Sequence, residues 1–108
     1  MNKTDRDFLI SLFDASVAAA DPMRALSSYI PARPKGRLIV IGAGKGSAQL
    51  AAAFEHMWDG PLEGVVVTRY GFGCPTRAIK VIEAAHPVPD AAGFAASHAL
   101  FEAVRGLT

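Results

Sequence analysis

The stretch "LIVIGAGKGSAQ", residues 38–49, restricts the possible fold more than any other part of the chain. Four aliphatic residues run without a polar break, three glycines follow at every second position around Lys45, and small residues then open a helical segment. A short, wholly apolar strand of this kind is what a parallel sheet buries on both faces. Leu38 to Ile41 is therefore expected as a strand and Ser47 to Trp58 as a helix, with Leu50, Phe54, Met57 and Trp58 on one side. Val65 to Val67 reads as a second buried strand, so strand, helix and strand form a right-handed βαβ unit. Ile79 to Ala84 reads as a third strand, less apolar because of Lys80 and Glu83 and so nearer the sheet edge. A last helix is expected from Ala91 to Arg105.

The residues ahead of this unit have a different pattern. Thr4 is placed as an N-cap with Asp7 in the acidic position of a capping box. Leu9, Leu12, Phe13 and Val17 recur at helical spacing and predict one buried face. Asp21 and Pro22 are an N-cap and first helical residue for a second helix, expected to run to Tyr29 before Pro31 and Pro34 break it. The chain thus divides into an amino-terminal helical segment, 1–34, and an α/β portion, 35–108, with the fold class of a partial doubly wound (Rossmann-like) parallel sheet of about three strands with flanking helices. So thin a sheet leaves an edge and one face under-covered, and the simplest expectation is that these residues are part of a longer protein.

Composition narrows the function classes. No apolar run among the 108 residues reaches the length of a membrane span, and the first residues lack the basic, apolar and small succession of a signal peptide. Net charge is +1 with acids and bases interspersed, which points to neither a nucleic acid nor a membrane surface as partner. Cys74 is the single cysteine, so no internal disulfide forms, which fits a cytoplasmic location. Small molecules and protein surfaces remain as partners.

The glycine turn fits neither familiar phosphate cradle. A dinucleotide fingerprint takes glycine at its first, third and sixth positions; Gly42 and Gly44 match, but the sixth is Ser47. The acid that would hold the ribose is replaced by Thr68 and Arg69, although Arg69 is able to hold a 2′-phosphate. A Walker loop is absent, because Ile39 stands where its first glycine belongs and Gly46 follows Lys45. Lys45 itself is informative. A helix start disfavours a cation by roughly 0.3–1 kcal/mol, so a lysine there, at the carboxyl end of the first strand, points to an anionic ligand rather than to a side chain simply solvated.

Other candidates carry weaker signals. Arg69, in "TRYGFG", is suited to a bidentate contact with a carboxylate or phosphate, while Gly71 and Gly73 equally serve the turn with Tyr70 and Phe72 packing over the sheet edge. In "AAHPVPD", Asp90 is placed to cap the last helix and His86 ends a strand, where a structural hydrogen-bonding role is the more ordinary one. His56 and His98 have no partner at metal-ligand spacing, so no metal site is expected.

"VIGAGKGSAQLA", "GVVVTRYGFG" and "IEAAHPVPDAAG", in this order and spacing, resemble the amino-terminal domain of type II glycerate kinases, a group with a MOFRL domain at its carboxyl end. Some members are labelled hydroxypyruvate reductases, and a few of those belong to tartrate degradation. The resemblance implies ATP- and Mg²⁺-dependent phosphorylation of the 2-hydroxyl of D-glycerate by a protein roughly four times this length, consistent with single-domain size limits. It implies that Lys45 is catalytic, that Gly42, Gly44 and Gly46 shape its turn, and that His86 and Asp90 are binding residues; Ser47 and Arg69 are placed beside them as phosphate- or substrate-binding candidates. It also implies that a second glycine-rich loop and the carboxyl-terminal MOFRL domain lie outside these residues, that the remaining polypeptide completes the site, and that the 108 residues alone are inactive. Relatives often carry histidine at the position of Phe72, so a polar role there is not carried over. Two alternatives stand beside the kinase: a hydroxypyruvate reductase using NADH or NADPH, and a stand-alone nucleotide- or anion-binding module. A homo-oligomer is compatible with each.

Overall fold

A computed structural model describes residues 2–108. The elements are α1 (Lys3–Ala19), α2 (Pro22–Leu26), β1 (Ile39–Ala43), α3 (Ser47–Met57), β2 (Glu63–Arg69), β3 (Ile79–Ala84) and α4 (Ala91–Ala103). The three strands form one sheet in the order β1-β2-β3, and both pairings are parallel. The fold is α/β, as the strand–turn–helix pattern predicts.

Register and side-chain contacts show which helix covers which face. Val66 stands opposite Val81 and Gly64 opposite Ile79, while Gly42 stands opposite Val66. These positions share one face, because strand side chains alternate. That face meets α3: Ala51 clusters with Val66 and Ile79, and Val40, Leu62 and Val81 pack around them. Ala84 has the opposite parity and lies against Gly93 of α4, where a Cβ on the glycine would meet the Ala84 Cβ at 3.8 Å. Helices α3 and α4 thus lie on opposite faces, which is the doubly wound arrangement in its smallest form.

Helix α3 shows why the buried surface is built from small residues. Ala48, Ala51 and Glu55, spaced at three and four, are all buried, so they form the stripe facing the sheet. The sequence places Leu50 on the buried side, yet it is 44% exposed. A Cβ at Gly42 would meet the Val66 Cγ1 at 3.4 Å and the Ser47 Cβ at 3.8 Å, so the start of α3 lies close against β1.

Glu55 is the buried acid in this stripe. Burial acts against its charged form, but the backbone N–H groups of Arg77, Ala78 and Ile79 donate to its carboxylate at 2.6, 2.9 and 2.6 Å. These bonds outweigh burial and hold its carboxyl below the usual range. Glu55 therefore fixes the chain as it enters β3. Glu55→Ala is expected to lower the unfolding free energy by about 3 kcal/mol, since buried donors lose their acceptor. Because its folded pKa is depressed, the stabilisation is complete above the unfolded carboxyl pKa and is lost as pH falls through the folded value. Urea unfolding of the parent chain should therefore weaken into the acid range, and Glu55→Gln should remove that part of the pH dependence. Equal stability of parent and Glu55→Ala at neutral pH would show that the three bonds contribute nothing.

Several boundaries differ from expectation. The N-cap of α1 is Asn2, whose side chain accepts from Asp5 N, and not Thr4, which lies inside the helix. The Leu9–Leu12–Phe13–Val17 face is exposed throughout, with Phe13 at 68%, because no element among the described residues covers it. Asp21 does cap α2, with Pro22 at its first position, but that helix ends at Leu26 and not at Tyr29. Strand β1 begins one residue later than expected and extends to Ala43. It is an edge strand rather than one buried on both faces, and Ile41 is 51% exposed. Strand β3 matches its expected bounds, and α4 ends at Ala103 rather than at Arg105.

Candidate functional site

Because the sheet is parallel, the residues following all three strands emerge at one end, where open α/β sheets bind ligands. After β1 the chain turns through Gly44, Lys45 and Gly46. Gly44 has φ +124°, a conformation that favours glycine, and its N–H donates to Val67 O at 3.0 Å. The Ser47 hydroxyl lies 2.7 Å from Gly44 O and 2.9 Å from Val67 O and donates to this carbonyl pair. The buried serine thus ties the turn to β2. Thr68 adds a second tie, donating to Lys45 O at 3.3 Å. No side chain caps α3, whose N-cap is Gly46; the Ser47 N–H turns back to Gly44 O at 3.1 Å, and the amides that follow it are left open to a ligand.

A small cleft of about 200 Å³ opens among the three strand ends. Lys45, Arg69 and His86 line it, with Gly44, Thr68 and Gly93. Lys45 and Arg69 are exposed. Neither forms an ion pair among the described residues, whose two ion pairs are Arg37–Glu63 and Arg105–Glu102. No carboxylate lines the cleft. The Arg69 guanidinium lies over the Phe72 ring, 5.6 Å from its centre, so this phenyl supports a cation.

The other sequence candidates divide between two places. Gly42, Gly46 and Ser47 line a separate groove beside β1 and α3. Asp90 points into the polypeptide: it caps α4 by accepting from Gly93 N at 2.9 Å and also accepts from Ala85 N at 3.3 Å. The Tyr70 hydroxyl donates to it at 2.7 Å. The Tyr70 bond, followed by the Gly93 amide, holds the Asp90 carboxyl below its ordinary range, and the same bond raises the Tyr70 phenol. Asp90 thus joins the loop after β2 to the start of α4. In the sequence Tyr70 has only a packing place over the sheet edge; its hydroxyl partner lies 20 residues on and no local pattern connects them. Glu83, which in the sequence only makes β3 less apolar, accepts from Gly71 N at 2.6 Å through its carboxylate and braces the same loop.

Residues 8–108 match the family described as "Domain of unknown function (DUF4147)". The chain belongs to this family. A provisionally named hydroxypyruvate reductase of Agrobacterium vitis is 50% identical over 103 residues, covering 94% of this chain and 24% of that protein. The glycerate 2-kinase of Pyrococcus horikoshii is 36% identical over 97 residues, covering 79% of this chain and 22% of the kinase. The crystal structure of glycerate kinase from Thermotoga maritima superposes with a TM-score of 0.81 at 26% identity, over 99% of this chain and 26% of that one. The chain spans about a quarter of the length of the curated relatives it matches.

In this DUF4147 chain the described residues bring two free cations and one imidazole to the strand ends. They include no cluster of three His, Cys, Asp or Glu side chains that would hold a metal. No helix is long and apolar enough to cross a membrane. The cleft is therefore suited to holding an anion and neutralising charge, with the turn and Asp90 positioning its walls.

Proposed function

We propose that this chain forms the amino-terminal side of a D-glycerate 2-kinase, with residues 1–34 as a helical arm and 35–108 as the α/β part that holds the anion. The observation that carries this reading is the pair of unpaired cations, Lys45 and Arg69, in one carboxylate-free cleft at the strand ends. The names of the Pyrococcus and Thermotoga relatives support it. In the reaction the 2-hydroxyl oxygen of glycerate bonds to the γ-phosphorus of ATP, and the bond from that phosphorus to the ADP oxygen breaks. Negative charge spreads over the transferring oxygens, where a positioned cation is most effective. Lys45 is assigned this role. Arg69 holds a phosphate or the glycerate carboxylate, and His86 offers a hydrogen-bonding group to the same cleft. Gly42, Gly44, Gly46 and Ser47 shape the turn, while Asp90 acts through Tyr70 and α4.

The residues fit the anionic part of a nucleotide, and Mg²⁺ when bound supplies further neutralisation of the phosphates. The reaction belongs in the cytoplasm, where ATP is available, and the remaining polypeptide supplies the other wall of the site.

The name of the Agrobacterium vitis relative favours a second reading, reduction of hydroxypyruvate with NADH or NADPH. The turn argues against it, because the Ser47 side chain fills the place of the third glycine. That β2 ends in Arg69 rather than an acid argues against NADH alone, since an arginine there suits the 2′-phosphate of NADPH. A coupled assay of the complete protein separates the two. ADP should form from ATP when glycerate and Mg²⁺ are both present. Hydroxypyruvate-dependent oxidation of NADH or NADPH without ADP formation would replace the kinase by the reductase.

A further inference from the structure

The loop that leaves β2, from Arg69 to Gly73, is exposed and yet tied to three other elements. From α3, Gln49 Nε2 donates to Phe72 O at 3.1 Å. From β3, the Glu83 carboxylate accepts from Gly71 N at 2.6 Å. A Cβ on Gly73 would stand 3.4 Å from Glu83 Cδ, so glycine there leaves the carboxyl its room. At the start of α4, Asp90 accepts from the Tyr70 hydroxyl at 2.7 Å. Within the loop, Phe72 N donates to Arg69 O at 3.0 Å, and Gly71 makes the reversal with φ +84°.

These ties converge on Phe72. Its N–H and its carbonyl are both bonded, and the two residues before it are each held by a carboxylate. The ring they position lies outside the buried cluster of Ala51, Val66 and Ile79, and Phe72 is 41% exposed. What the ring does meet is the Arg69 guanidinium, 5.6 Å from its centre. A carboxylate partner would hold an arginine by occupying its donors and cancelling its charge. An aromatic face attracts the same cation and leaves both the charge and the N–H fork free for a ligand.

The cleft indicates which ligand. Its volume of about 200 Å³ lies below the roughly 300–1,000 Å³ of sites that enclose larger molecules, so it suits a small acid and not a whole nucleotide. Lys45 stands at the helix start, where a phosphate binds. Arg69 stands on the neighbouring strand with a planar fork, the geometry that takes a carboxylate through two parallel bonds.

We propose that Phe72 is a positioning residue: fixed by Gln49, Glu83 and the Tyr70–Asp90 bond, its ring holds Arg69 to receive the carboxylate of a small 2-hydroxy acid. The identity of that acid as glycerate rests on the kinase reading.

Binding of D-glycerate to the complete protein tests this, measured by titration calorimetry with Mg²⁺ and a non-hydrolysable ATP analogue present. Phe72→Leu should raise the glycerate Kd about three- to tenfold, with the affinity for the analogue unchanged. Phe72→Tyr and Phe72→Trp keep an aromatic face and should restore binding. Arg69→Gln should weaken glycerate at least as much, and adding Phe72→Leu to it should cost nothing further, because the ring acts only through the guanidinium. Glu83→Ala unties the loop without touching the ring and should also weaken glycerate, whereas Glu83→Gln keeps an acceptor for Gly71 N–H and should not. An unchanged glycerate Kd in Phe72→Leu, an equal loss for glycerate and analogue, or additive losses with Arg69→Gln would overturn the proposal. So would weaker binding of the analogue alone, which would give Arg69 to a phosphate. Glycerate binding that follows this pattern without ADP formation from ATP would remove the kinase reading and leave the positioning role standing. ADP formation with additive losses would do the reverse.

Discussion

Replacing Gly64 with alanine is expected to unfold the sheet. A Cβ at this position would stand 2.0 Å from the Val40 carbonyl oxygen and 2.8 Å from that residue's carbon and nitrogen. All three atoms are backbone, so no side chain can rotate away. Gly64 is paired with Val40 in the parallel ladder, and moving either strand breaks the register that also aligns Ile41 with Val65 and Ala43 with Val67. The other neighbour of Gly64 is Ile79, where Glu55 anchors β3, so displacement of β2 is resisted on both sides. Overpacking at a yielding site costs about 1–3 kcal/mol, and more where nothing yields; Gly64→Ala is expected to cost about 4 kcal/mol or more, a large part of a small domain's stability. Gly36→Ala is the matched control, because no atom lies within 4 Å of its added Cβ. Urea unfolding followed by circular dichroism should show the first variant largely unfolded and the second close to the parent. Two similar midpoints would mean that β1 and β2 are not paired in this register.

Loss of the Lys45 ammonium is expected to act in the opposite manner, on rate and not on stability. The side chain is exposed and forms no ion pair among the described residues, so Lys45→Ala removes no packing. Its backbone carbonyl, which accepts from Thr68, is retained. In the complete protein kcat for glycerate-dependent ADP formation should fall about 10²–10³-fold, the range for removing one preorganised group aimed at developing charge. Thermal unfolding should be unchanged. Lys45→Arg should recover part of the rate, since charge is kept but its position changes. A kcat within a few-fold of the parent would mean that Lys45 is a solvated lysine on a turn.

The strand–turn–helix core was legible because its signals are local. Ile79–Ala84 could be bounded at both ends, and Asp21 and Asp90 could be assigned as caps, since an acid before a helical run has few other uses. What required tertiary contact was not legible. The apolar run of β1 looks the same in a central strand and in an edge strand, which is what it is here. Glu55 reads as an ordinary polar residue among alanines until residues 77–79 bring three amides to it. The joint position of Lys45, Arg69 and His86 follows from topology, because parallel strands deliver their following loops to one end. The inward turn of Ser47 and the Tyr70–Asp90 bond do not, since both depend on side-chain direction.

The most direct test of the kinase reading is the ³¹P spectrum of the product formed by the complete protein from ATP, Mg²⁺ and D-glycerate. A phosphate ester on the 2-hydroxyl, appearing in step with ADP and lost in Lys45→Ala, is the predicted result. An ester on the 3-hydroxyl, or hydroxypyruvate-dependent consumption of NADH or NADPH with no new phosphate ester, would contradict it.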